Sequence, residues 1–165
     1  MKNVQLNQES LEEARLPKAF WPLGADTYFG SHTALKSVEK YIRQSDLALS
    51  NGGVGLFLIG PPASLKTFLL TFVLKCLMAK GQSVRYSTLE EVTDLYFQRD
   101  GVSLESELAH DHFVAVDNLG EIINKASPNA LRRLLRRRSD DGLCTLLASD
   151  LSPDDFKRQY AAVQE

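Results

Sequence analysis

The sequence predicts an α/β fold of three layers, with helices on both sides of a central parallel sheet. Short apolar runs alternate with helical patterns from residue 55 to residue 149, as βαβ units require. Two of the apolar runs end in loop chemistry: Gly55-Leu56-Phe57-Leu58-Ile59 stops at Gly60, and His112-Phe113-Val114-Ala115-Val116 stops at Asp117.

In chain order, residues 1–15 are polar and read as loose or helical. Leu16-Pro17-Lys18-Ala19-Phe20-Trp21-Pro22-Leu23 is apolar and broken by proline, so it reads as an irregular packed arm. For Trp21 core packing is the favoured role, with stacking on a base as the alternative. Residues 1–30 form an N-terminal arm and residues 31–165 the core domain. Residues 32–50 read as one amphipathic helix, with Leu35, Val38, Tyr41, Ile42 and Leu49 on its apolar side. Asn51-Gly52-Gly53 turns into the first strand, which is expected to be buried. The helix from Thr67 onward ends at Gly81, a fitting C-cap. Ser83 to Ser87 is the next strand. Thr88 caps a helix reaching Phe97, and Glu91 completes a capping box. A loop covers Gln98 to Ser103, and a short helix from Leu104 to His110 leads to the Asp117 strand. Pro128 starts a helix running to Arg138, and Leu143 to Ser149 is the last strand. There is no internal repeat.

Residues Gly60-Pro61-Pro62-Ala63-Ser64-Leu65-Lys66-Thr67 match G-x-x-x-x-G-K-[ST] except at Leu65, which stands where the second glycine belongs. The strand before and the helix after supply the context of a P-loop. Free N–H groups at a helix start point at an anion. The loop from Gly60 to Phe68 is therefore the candidate ATP-binding segment. Lys66 would contact the outer phosphates, and Thr67 would give its hydroxyl to Mg²⁺. A Cβ at Leu65 resists the torsions and the close phosphate approach that glycine allows, and Ala63 stands where many such loops carry glycine.

His112 to Asn118 reads as the partner motif, with Asp117 orienting Mg²⁺ through its water shell. The next position commonly holds an acid that polarises water. Here it is Asn118, which cannot accept a proton. Glu121 is near enough in sequence to substitute.

A length of 165 residues suits one domain with a real core. The net charge of −2 argues against polyanion binding by bulk charge. Cys76 and Cys144 lie in apolar segments without metal spacing, so they read as free thiols of a reducing cytoplasm. No apolar run approaches the roughly 18 residues that suggest a bilayer span, and no secretory signal is visible. One segment is strongly basic. Arg132, Arg133, Arg136 and Arg137 share one side of a helix, while Leu131, Leu134 and Leu135 take the core side. That face suits DNA phosphates, an acidic partner, a neighbouring subunit's nucleotide, or plain solvent.

Together, Gly55 to Pro62, Lys66-Thr67, Gly81 to Thr88 and Val116-Asp117-Asn118-Leu119-Gly120 resemble the bacterial helicase-loader and insertion-sequence transposition-helper ATPases of the AAA+ class. The resemblance spans roughly residues 17–155, and Leu134 to Asp150 is similar to the stretch ending in the family's sensor strand. It implies a P-loop NTPase fold, ATP and Mg²⁺ as cofactors, a helicase or transposase-like protein partner, and a capacity for self-assembly. Ser149 stands where the family has a sensor Asn, so Lys66, Asp117, Asn118 and Ser149 are the candidate catalytic positions. Leu65, Asn118 and Ser149 all depart from the family pattern. Arg158 is the only arginine after the sensor strand, and no helical lid or closed ring is expected. The resemblance therefore implies an ATP-binding loader in DNA replication or mobile-element transfer with slow or partner-dependent hydrolysis. The alternative is a nucleotide-independent interaction module using the arginine face. A small-molecule kinase is disfavoured because no acceptor or lid motif follows the P-loop.

Overall fold

A computed structural model describes residues 6–98, 107–120 and 125–161. Four parallel strands form one sheet: β1 (Leu56–Ile59), β2 (Val84–Thr88), β3 (Phe113–Asp117) and β4 (Cys144–Ser149), in the order β1-β4-β3-β2. The seven helices among the described residues are α1 (Gln8–Glu13), α2 (His32–Arg43), α3 (Ser45–Ser50), α4 (Lys66–Ala79), α5 (Leu89–Phe97), α6 (Ser127–Asp140) and α7 (Pro153–Gln159). The predicted three-layer architecture is present.

The two-residue period of β3 builds both halves of the core. Phe113 and Ala115 face the layer of α1, α2 and α4, while Val114 and Val116 face α5, α6 and α7. Every residue of β3 is buried, as a strand covered on both faces must be. The central position of β3 and β4 puts Asp117 and Ser149 at the middle of the sheet's C-terminal end.

Local signals act as the sequence indicates. Thr88 Oγ1 accepts from Glu91 N–H at 3.3 Å, and Glu91 Oε2 accepts from Thr88 N–H at 3.0 Å, closing the capping box of α5. Gly81 ends α4 with φ +82°. Its N–H donates to Met78 O at 2.8 Å, and Gln82 N–H donates to Leu77 O at 3.0 Å, a Schellman closure. Pro128 lies in the first turn of α6.

Several expectations are corrected. The single helix over 32–50 is two, because Gln44 leaves helical torsions and the Lys80 ammonium reaches the break, donating to Ile42 O at 3.1 Å and Ser45 Oγ at 2.6 Å. The first strand is not fully buried. β1 pairs only with β4 among the described residues, and Phe57 and Ile59 stand about 40% exposed on the open face. Phe156 covers Phe57 partly, edge to face at 4.8 Å. Residues 99–106 of the expected loop and short helix fall outside the described residues, as does Glu121, while Glu107 and Leu108 are helical.

The arm packs on the same core as the rest. Leu11, Ala14 and Leu16 are buried, and Tyr86 N–H donates to Ala14 O at 2.8 Å. Two 3-10 turns follow, and Lys75 of α4 pins the end of the first by donating to the carbonyls of Phe20 (2.9 Å), Trp21 (3.0 Å) and Leu23. Burial pushes the Lys75 pKa down, a cost that these three acceptors offset. Trp21 packs against the core and donates its indole N–H to Leu16 O at 2.9 Å, the packing role favoured by the sequence.

Candidate nucleotide site

The loop between β1 and α4 lies at the C-terminal end of the sheet, where open α/β sheets place their ligands. Its backbone does what a glycine-rich loop does without the glycines. Leu65 has φ +62° and ψ +28°, and Ala63 has φ +61°, both left-handed. A left-handed residue with a Cβ costs roughly 1–2 kcal/mol. The loop therefore carries backbone strain at the two positions where the sequence lacks glycine. Strain of this kind persists only where the surroundings over-determine it.

An open cleft of about 280 Å³ runs along this loop, lined by Phe20, Ala63, Ser64, Leu65, Lys66, Thr67, Phe68, Asp117, Asn118 and Asp150. That is near the lower edge of the range of about 300–1,000 Å³ typical of small-molecule sites. Of the predicted binding loop, Gly60, Pro61 and Pro62 are not lining residues. Gly60 and Pro61 instead supply carbonyls to Lys66.

Lys66 is only 9% exposed. Its ammonium donates to Gly60 O at 2.8 Å, Pro61 O at 2.7 Å and Ser64 Oγ at 3.0 Å, and pairs with Asp150 Oδ1 at 2.6 Å. Thr67 Oγ1 donates to Asp117 Oδ2 at 2.6 Å, so the two predicted Mg²⁺ residues meet across fifty positions of sequence. Asp117 is buried and accepts three hydrogen bonds. Its Oδ2 also accepts from Tyr86 OH at 2.8 Å, and its Oδ1 accepts from Asn118 N–H at 2.7 Å. Burial first, and the Asp117 charge second, push the Tyr86 pKa up, so the phenol stays a donor.

The donor set fits Mg²⁺. A carboxylate and a hydroxyl are hard oxygen ligands, and Mg²⁺ is commonly held by one or two carboxylates plus substrate phosphates. Among the described residues no group of three or more His, Cys, Asp or Glu forms a metal cluster, so water and phosphate oxygens would complete the shell. When bound, Mg²⁺ neutralises charge developing on the phosphates.

Asn118 lines the cleft with φ +59°, a torsion that asparagine tolerates better than most residues, and its carboxamide has no basic site. Ser149 points elsewhere. It is 1% exposed, donates to Leu119 O and accepts from Leu151 N–H at 3.1 Å, and it does not line the cleft. The next residue, Asp150, takes its place there. Sequence reasoning missed Asp150, Tyr86 and Phe20. A carboxylate one residue past a central strand was the available signal for Asp150. Nothing in the local pattern marks Tyr86 or Phe20.

The arginine face is on the opposite side of the sheet from α4. Arg132, Arg133 and Arg136 line a second groove of about 310 Å³ with Tyr96 and Asn129. Arg133 sits 5.9 Å from the Tyr96 ring centroid. Arg137 is turned aside to Asp141 at 3.0 Å. Arg138, from the same basic run, is not on this face at all. It is fully buried and donates to the carbonyls of Leu108 (2.7 Å), Asp111 (2.9 Å) and Cys144 (2.7 Å) and to Thr145 Oγ1 (3.0 Å). Burial pushes its pKa down to about 10, so it remains charged at neutral pH.

No protein-family model and no curated protein matches the chain. Solved structures do. The DnaC helicase loader superposes with a TM-score of 0.69 at 18% identity, over 87% of this chain and 90% of that one. The chain shares the fold of that helicase loader. DnaI aligns with a TM-score of 0.69 at 16% identity, over 90% of this chain and 86% of that chain. DnaA from Aquifex aeolicus, solved with AMPPCP, aligns with a TM-score of 0.67 at 13% identity, over 90% of this chain and 49% of that one. No helix among the described residues is long and apolar enough to cross a membrane.

Proposed function

We propose that the protein binds Mg·ATP in the cleft between the β1–α4 loop and β3, and acts as a helicase-loader-like protein in DNA replication or mobile-element transfer. The observation that carries this reading is the convergence of Lys66, Thr67 and Asp117 on one open cleft at the C-terminal end of a parallel sheet. Lys66 holds the outer phosphates, and Thr67 and Asp117 hold Mg²⁺. Hydrolysis is slow or depends on a partner, because Asn118 cannot take a proton from water. The structural likeness to DnaC, DnaI and AMPPCP-bound DnaA supports the reading. The partner is a helicase or transposase-like protein in the cytoplasm. DNA contact through Arg132, Arg133 and Arg136, and self-assembly on nucleotide, belong to the same proposal.

A second reading is a nucleotide-independent interaction module. It is favoured by the Lys66 ammonium, whose three protons already face four acceptors. Calorimetric titration with Mg·ATP separates the two. Micromolar binding that is lost in Lys66→Ala supports the nucleotide site. No heat at millimolar Mg·ATP supports the module.

A further inference from the structure

The strongest unexplained contact in the site is the Lys66–Asp150 ion pair. It does not belong to the sequence motif that defines the loop, and it uses the group a phosphate would need. Its two partners differ sharply in exposure: the Lys66 side chain is 10% exposed and the Asp150 side chain 48%. Lys66 is further tied to two loop carbonyls and to Ser64. The lysine therefore cannot follow Asp150 into solvent. Asp150 can leave at little cost, because its carboxylate regains water as it goes.

We propose that Asp150 is a displaceable counter-ion that competes with nucleotide phosphate for Lys66 and so sets the affinity of the cleft. A buried ammonium needs a negative partner, and Asp150 provides one when no phosphate is bound. An incoming phosphate must break that pair. It also meets the carboxylate's negative charge at the mouth of the cleft until Asp150 swings away. The contact thus biases the site against weakly charged ligands and toward those carrying both several phosphate charges and a metal ion. Inorganic triphosphate engages the same lysine, so the competition does not depend on a base or a sugar.

This inference rests on the phosphate-site reading and is tested with it. The wild-type protein, Asp150→Asn and Asp150→Ser are titrated with Mg·ATP and with Mg·triphosphate, with the melting temperature of each recorded. Lys66→Ala is made in both the wild-type and Asp150→Asn backgrounds. Removing a half-exposed ion pair worth about 1 kcal/mol tightens binding about fivefold for both ligands. That gain disappears when Lys66 is also removed. Binding by Asp150→Asn with none detectable in the wild type supports the counter-ion in stronger form. Equal or weaker binding by both neutral variants, with the wild type binding normally, overturns the counter-ion and leaves the phosphate site standing. No binding by any of these proteins overturns both.

Discussion

Leu65 shows how one residue can break a motif and keep its geometry. The sequence places a Cβ where glycine is expected, and the backbone nonetheless takes φ +62°. Two effects of similar size oppose each other in Leu65→Gly. Relief of the left-handed strain contributes roughly 1–2 kcal/mol. Loss of the half-buried side chain, which packs on the core beside α4, costs about the same. Stability is therefore expected to stay within about 1 kcal/mol by urea denaturation, since the two terms nearly cancel. Affinity for Mg·ATP is expected to rise, because only glycine lets a phosphate approach the backbone closely. Weaker binding would instead mean that the leucine side chain itself touches the ligand. Lys66, Thr67 and Asp117 were legible because the motif carries their chemistry at fixed spacing. Asp150 and Tyr86 were not. Each reaches the site through strand register, and a sequence without its pairing does not reveal register.

At the scale of elements, α6 divides a single basic run into two roles. Arg132, Arg133 and Arg136 face a groove, while Arg138 turns into the core. Helical periodicity put Arg132, Arg133, Arg136 and Arg137 on one side, and of these Arg137 turns to Asp141. It did not mark Arg138 as buried, because arginine in a basic run reads as solvated unless its acceptors are known. Those acceptors lie at Leu108, at Asp111 and at the start of β4, which only the fold brings together. Arg138→Met keeps much of the stem's packing and removes the guanidinium donors from these carbonyls. An unpaired buried polar group costs about 1–3 kcal/mol, so a loss of roughly 3 kcal/mol or more is expected by chemical denaturation. A loss below about 1 kcal/mol would mean that water replaces the guanidinium. The break at Gln44 has a similar origin. The periodicity of 32–50 is continuous, and the interruption depends on Lys80 arriving from α4.

Across the whole molecule, the fold class and strand sequence followed from alternation of apolar runs with helical patterns. The order β1-β4-β3-β2 did not, nor did the exposure of β1, because both depend on which strands become neighbours. That order matters for function. It sets β3 and β4 at the centre, so Asp117 and Asp150 flank the loop that follows β1. The cleft is thus assembled from three strand ends and one helix start. In the proposed complex Thr67 and Asp117 hold a metal that the phosphates share. The direct measurement is ATP affinity with Mg²⁺ and with the metal chelated, in the wild type and in Thr67→Ala. Chelation is expected to weaken wild-type binding strongly, and Thr67→Ala to bind weakly and with little response to Mg²⁺. Wild-type affinity that is the same with and without Mg²⁺ would contradict it, and would leave the Thr67–Asp117 hydrogen bond as a purely structural link between α4 and β3.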